Sequence, residues 1–109
     1  MHTNKISLLY TTVAGEQEAK KLASIALSNN AAVCVNIIQN GNSVYLWNGK
    51  IEESNECYLI FKTSTQLLPK LEELILQNHP YELPAILKFD AVANDSFLDY
   101  INKCTFLNP

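Results

Sequence analysis

Hydrophobic spacing along this chain alternates between strand and helix periods, and each change marks an element. Ile6-Ser-Leu-Leu-Tyr-Thr11 is apolar toward both sides and predicts a first strand covered on both faces. From Glu16 to about Ser28 the apolar residues Ala19, Leu22, Ala23 and Ala26 recur at helical spacing. Acids (Glu16, Glu18) precede lysines (Lys20, Lys21) along that helix, in weak accord with its dipole. Strand patterning resumes from Val33 to Trp47, broken at Gln39-Asn-Gly-Asn-Ser43, where polar residues and a glycine predict a bulge or kink in one ribbon. Asn48-Gly49 is a two-residue hairpin turn, and Lys50 to Thr63 is the returning strand.

Thr63-Ser-Thr-Gln66 resembles a capping box and opens a second helix with Leu67, Leu71, Leu74 and Ile75 on its apolar side. Pro69 is tolerated near that helix's start, and Pro80 stops it. A last strand, Ala85 to Val92, precedes a short helix capped by Asn94 and lined by Phe97, Ile101 and Cys104. The order β-α-β-β-α-β with a terminal helix predicts an α+β, ferredoxin-like sandwich in one domain, residues 1–109.

The hairpin turn also sets a register. Counting back from Asn48-Gly49, Trp47 faces Lys50, Tyr45 faces Glu52, Ile37 faces Ile60 and Asn36 faces Phe61. One side of the ribbon then carries Val33, Val35, Ile37, Tyr58 and Ile60. The other carries Ile38, Leu59 and Phe61 with Cys34 and Cys57. A bulge that slips the register by one residue exchanges these sides but leaves both apolar. Two helices cover only one face of a four-stranded sheet, so the pattern predicts a homo-oligomer in which another copy covers the second.

Composition removes several function classes. All eight basic residues are lysines and the net charge is −3, so bidentate reading of phosphate or guanine is absent and nucleic acid is not an expected partner. The longest apolar runs fall far short of a membrane span, and the leading residues are too short for a secretory signal; the expectations are no membrane partner and a cytoplasmic location. Cys34, Cys57 and Cys104 show no C-x-x-C spacing, so neither a disulfide framework nor a zinc knuckle is predicted. No nucleophile elbow, phosphate loop or H-E-x-x-H occurs, and the chain does not read as an enzyme.

Candidate chemistry concentrates at His79-Pro-Tyr-Glu-Leu-Pro84, where an imidazole, a phenol and a carboxylate are gathered between prolines at a helix stop. His79 with Tyr81 and Glu82 can bind a metal or move a proton, or His79 can simply cap the helix. Cys34 is either a soft ligand for copper or a buried small hydrophobe. Trp47 across from Lys50 suits a cation–π pair or an anchor in a neighbouring subunit. Glu52, Glu53 and Glu56 form a small acidic group. His2 beside the chain's amine is a weak Cu(II) site at best.

Taken together, Thr11-Thr12, Cys34-Val-Asn-Ile-Ile38, Trp47-x-Gly-Lys-Ile-Glu-Glu53, Phe61-Lys-Thr63 and His79-Pro-Tyr-Glu-Leu-Pro84 resemble, in order and spacing, the CutA divalent-cation tolerance proteins. The resemblance runs from about Ile6 to Ile101. It implies a ferredoxin-like subunit in a tight homotrimer with long hairpins reaching adjacent subunits, and a cytoplasmic role in tolerance of copper and other divalent cations. Position by position, it assigns Cys34 and His79 to metal binding and places Trp47, Glu56, Lys62, Tyr81 and Glu82 at an inter-subunit cleft. The architecture is also similar to that of the trimeric PII signalling proteins, which brings in sensing of a small molecule as an alternative. Ala85 departs from the family, which usually has a glutamate there.

Overall fold

A computed structural model describes residues 4–106; His2 lies outside them. The elements are β1 (Lys5–Val13), α1 (Glu16–Ser28), β2 (Cys34–Trp47), β3 (Lys50–Thr63), a 3-10 turn (Thr65–Leu67), α2 (Leu68–Asn78), β4 (Leu87–Val92) and α3 (Asp95–Phe106). The strands form one sheet in the order β2-β3-β1-β4, with every neighbouring pair antiparallel. This is the split β-α-β arrangement that the element order predicts.

α1 and α2 cover one face. Leu9 and Val13 of β1, Leu59 and Phe61 of β3, Leu22 and Ala26 of α1, and Leu71 and Ile75 of α2 form a single buried cluster. Alternation along β1 sends Ser7 and Thr11 to the same side, where they too are buried. Thr63 satisfies its buried hydroxyl by donating to the Ala31 carbonyl at 2.7 Å. It is therefore Ser64, not Thr63, that caps the next turn, its oxygen accepting from the Leu67 N–H at 3.3 Å. The predicted capping box is corrected to a single cap one residue later, because burial claims the first hydroxyl and Leu67 has no polar side chain to bond back.

The ribbon register changes at the predicted break. Near the turn, Trp47 pairs with Lys50 and Tyr45 with Glu52, as expected. Beyond a bulge between Ile38 and Gly41 the pairing slips by one, so Asn36 faces Ile60, Ile37 faces Leu59 and Val35 faces Phe61. The predicted Ile37–Ile60 and Asn36–Phe61 pairs are thus corrected, and Val35 and Ile37 share the helix-covered face with Leu59 and Phe61. Asn40 takes up the extra residue in the left-handed region, φ 60°. Gly41 lies directly beneath the Tyr58 ring, where an added Cβ would come within 2.3 Å of Tyr58 Cζ. Asn48 and Gly49 both have positive φ (52° and 76°), the geometry that a tight two-residue hairpin needs.

On the sheet's second face only one end is covered within the chain. α3 lies there: Ile101 is fully buried, Ile6 of β1 is nearly so, and Lys62 of β3 places its ammonium 5.6 Å from the Phe97 ring centre. Farther along, Ile38, Leu87 and Phe89 remain half exposed. Their strand positions put them on the same face as Tyr10 and Tyr58, whose rings lie 6.3 Å apart. Among the described residues no helix is long and apolar enough to cross a membrane.

Candidate functional site

The site begins where α2 ends. Pro80 excludes the helical conformation at His79, which is instead extended (φ −71°, ψ 132°) while its N–H still bonds the Ile75 carbonyl at 2.8 Å. The chain then turns away past the end of β1, whose pairing with β4 stops at Tyr10–Leu87. Thr11 and Thr12 are left free of a β4 partner, and the 79–85 segment uses them.

Each atom of the His79 ring that can bond is engaged. Nδ1 accepts from the Tyr81 N–H at 3.1 Å, so the neutral ring carries its proton on Nε2. Nε2–H donates to the Thr12 carbonyl at 2.9 Å and lies 3.0 Å from Thr11 Oγ1. The Thr11 hydroxyl spends its own proton on the Ala85 carbonyl at 2.7 Å. His79 thus pins the start of the segment to β1, and Thr11 pins its end at Ala85. Burial holds its pKa below the ordinary 6.5, although the Thr12 carbonyl and the Glu56 charge pull the other way.

Tyr81 extends the network to the hairpin. Its hydroxyl donates to Glu56 Oε2 at 2.5 Å, and its ring meets His79 edge-on with centres 4.8 Å apart. Burial and the neighbouring Glu56 carboxylate raise the phenol's pKa. At Glu56, burial opposes ionisation, but the nearby Ser43 and Thr12 hydroxyls and the hydrogen bond from Tyr81 outweigh it and hold the carboxyl below its ordinary range. The pair is therefore a neutral phenol donating to a carboxylate at any ordinary pH.

Between this network and the hairpin tip lies a cavity of about 600 Å³, walled by Thr12, Tyr45, Trp47, Glu52, Ser54, Glu56, Tyr81 and Glu82, with Leu46, Leu83 and Ala85 completing it. The register explains the wall. On the turn side of the bulge Tyr45 and Trp47 project to the same side as Glu52, Ser54 and Glu56, the second face of the sheet. Trp47 turns its ring to this cavity; the cation–π contact of the described residues is Lys62 over Phe97.

Of the residues singled out in the sequence, His79, Tyr81, Glu56, Glu82 and Trp47 are brought together here. Cys34 and Lys62 are not. They pair with each other across β2 and β3 beneath α3, where Cys104 holds the pKa of the Tyr100 phenol above its ordinary value. Strand spacings of about 4.8 Å and a rise of about 3.3 Å per residue separate Cys34 from Thr12, and so from His79, by roughly 16 Å within one copy. Among the described residues no three His, Cys, Asp or Glu side chains converge on one point where a metal ion could sit. Tyr45, Ser54 and Ser43 escaped the sequence reading as site residues, although alternation counted from Asn48-Gly49 places all three beside Glu52 and Glu56.

Comparison with known proteins agrees with this architecture. Residues 7–104 match the family model described as CutA1 divalent ion tolerance protein. The divalent-cation tolerance protein CutA of Thermus thermophilus is 36% identical over 95 residues, spanning 86% of this chain and 92% of the relative. Protein CutA of Mus musculus is 33% identical over 92% of this chain, which spans 57% of the mouse protein's length. The crystal structure of divalent ion tolerance protein CutA1 from Ehrlichia chaffeensis superposes with a TM-score of 0.90 at 40% identity, covering 96% of this chain and 98% of that one. A shared fold, a match over nearly the whole chain and identities above 30% place this protein in the CutA1 divalent ion tolerance family.

Proposed function

We propose that this chain acts in divalent-cation tolerance as a non-enzymatic, cytoplasmic homotrimer that binds copper or another divalent cation at the seams between copies. The observation that carries the self-association is the second sheet face. Ile38, Leu87 and Phe89 form a half-exposed apolar strip that α3 leaves uncovered, and such a strip is stabilised when a further copy closes over it. The number three comes from the family.

As arranged in one copy, the residues do not fit a metal ion. Both nitrogens of His79 are committed to protein partners, and Cys34 lies too far away to share an ion with it. In this reading Cys34 meets a metal with ligands from another copy, while His79 serves as a cleft neighbour that fixes Tyr81 and Glu56. Sedimentation velocity at micromolar concentration tests the assembly, and a stable folded monomer sinks it. Titration with Cu(I), Cu(II) and Zn(II) tests the metal. Cys34→Ala should weaken binding by more than about 100-fold if its sulfur is a ligand, and His79→Ala, at a supporting neighbour, by at most about 10- to 100-fold.

A second reading, a small-molecule-sensing or scaffold trimer linked to metals only indirectly, is favoured by a different observation. The cavity beside Glu56 has the size and mixed polarity of a ligand site, yet its carboxylates do not converge. Weak metal binding that survives both substitutions would select this reading.

A further inference from the structure

We propose that Asn48 is a modification site: its side chain loses ammonia to the backbone nitrogen of Gly49, and the cyclic imide so formed opens to an aspartyl or isoaspartyl residue at the hairpin tip. Asn40, the other asparagine of this ribbon that precedes a glycine, is held back by its surroundings. The reaction takes place within one turn and stands apart from the metal and small-molecule readings.

The two dipeptides share their chemistry. Asn40-Gly41 and Asn48-Gly49 both lie in the β2–β3 ribbon, both asparagines are exposed, and both have positive φ (60° and 52°). In each, the glycine has no side chain to hinder attack by its nitrogen. What separates them is whether the peptide plane between asparagine and glycine can turn. Ring closure joins the glycine nitrogen to the asparagine Cγ, so that nitrogen must eclipse Cβ. In an L residue this requires ψ of about −120°, the value at the first central residue of a type II′ turn.

At the tip that geometry is one peptide flip away. Asn48 and Gly49 both have positive φ, which makes the turn type I′. A type II′ turn keeps the first residue at positive φ and needs only the plane between the two to rotate, and Gly49 accepts either sign of φ. Both types close two-residue hairpins, so Trp47 stays opposite Lys50 while the plane turns. The space is open, since a Cβ built on Gly49 would meet no atom within 4 Å.

At the bulge the same rotation is blocked. Gly41 pairs with Glu56 in the ladder, and the Tyr58 ring lies so close that an added Cβ would come within 2.3 Å of its Cζ. The Tyr58 hydroxyl donates to the Asn42 carbonyl at 3.1 Å, which holds the ring over the glycine. Turning the 40–41 plane breaks the pairing and unseats the ring.

The reaction balances with water as the one added reagent. The Gly49 N–H gives its proton to solvent base, the nitrogen bonds to Cγ, and the Nδ2 group takes up a proton and leaves as ammonia. Water then adds to one of the two imide carbonyls and breaks its bond to the nitrogen. Opening at Cγ gives the aspartyl product, and opening at the former main-chain carbonyl gives the isoaspartyl one. Each adds a negative charge to a tip that already carries Glu52 and Glu53. The isoaspartyl form also inserts one carbon into the main chain, in the turn that sets the tip's register.

The test follows both positions in one sample. The full-length assembled protein is aged at mildly alkaline pH, and peptide mass spectrometry with enzymatic carboxyl methylation scores isoaspartate at each site. The same chain in guanidinium chloride gives the two rates without structure, and there they should be similar. In the folded assembly, position 48 should convert at least about tenfold faster than position 40, the factor imposed by one further hydrogen bond broken on the way to the transition state. Equal rates in the folded assembly, faster conversion at Asn40, or an aspartyl product at position 48 without the isoaspartyl one overturns the proposal. So does an Asn48 that converts in guanidinium chloride and not in the assembly, the result expected of a tip clamped by another copy.

Discussion

The β2–β3 ribbon has two halves with similar strand chemistry and opposite uses. In the stem, Val35 and Ile37 turn toward the helices and pack with Leu59 and Phe61. In the tip, Tyr45 and Trp47, also odd-numbered positions of β2, turn to the second face and wall the cavity with Glu52 and Glu56. What separates them is one extra residue at Asn40. A strand alternates strictly, so if the extra residue were taken into the ladder instead of bulged out, Val35, Ile37, Tyr45 and Trp47 would all fall on one face. The bulge lets a single ribbon serve the core at one end and a ligand cavity at the other.

The sharpest test of this division compares truncations of similar chemistry in the two halves. Phe61 is fully buried and Phe61→Ala should cost about 3–5 kcal/mol, a loss large enough to deplete folded protein. Leu46 at the tip is 74% exposed, and Leu46→Ala should fall within about 0.5 kcal/mol. Chemical denaturation of both variants measures the difference. A tip substitution as costly as the stem one would mean that the tip is a structural core in its own right, buried in the assembly.

The hinge between the halves comes next in size. Gly41→Ala places a methyl within 2.3 Å of the Tyr58 ring, so the ring must leave its seat and release its hydroxyl from the Asn42 carbonyl. The expected cost is about 1–3 kcal/mol, the usual range for over-packing. Trp47 emission should shift as well, because the bulge aims the tip. A destabilised variant with unchanged emission would show that the tip keeps its orientation without the Tyr58 seat.

These contrasts explain which parts were readable in advance. The Asn48-Gly49 turn fixed the register of the tip, and the apolar spacing of Ala19, Leu22, Ala23 and Ala26 fixed the buried face of α1, because each signal is local. The stem's register was missed by one residue because Gln39 to Ser43 is polar on both sides and carries no hydrophobic phase through the bulge. The gathering of polar groups between prolines marked the 79–84 segment as a candidate site, and the structure ties it to β1 and the hairpin. The partners of His79 did not show, since they are a backbone carbonyl and a hydroxyl on β1, 67 and 68 residues away. Thr63 misled for a related reason: nothing local says that its hydroxyl is needed by Ala31 in the core.

The smallest expected effect concerns pH, and it separates the halves without removing any packing. His79 braces the 79–85 segment against Thr11 and Thr12 of β1, and its ring hydrogen bonds go to these residues and Tyr81, not to the stem's apolar pairs. Its folded pKa is below the ordinary 6.5 because burial disfavours the cation, and a proton on Nδ1 would also displace the Tyr81 N–H. A depressed pKa means that the unfolded chain takes up the proton first. The stabilisation is therefore complete above pH 6.5 and is lost as pH falls below it toward the folded value. Thr12 and Glu56, which face the ring and favour its charged form, narrow that window without reversing it. The Glu56 window lies lower still, beneath the ordinary 4.5 of a glutamate, so the two titrations do not overlap near neutrality. On going from pH 7.5 to 5.5, amide protection factors, which correct for the slower intrinsic exchange at low pH, should fall across the non-proline residues of 79–85 while those of β3 at Leu59 and Phe61 hold. His79→Gln should flatten this pH dependence, although it lowers protection in the segment at every pH. An equal fall in stem and segment would mean that the two halves open as one unit, and the division of labour within the ribbon would then be geometric but not energetic.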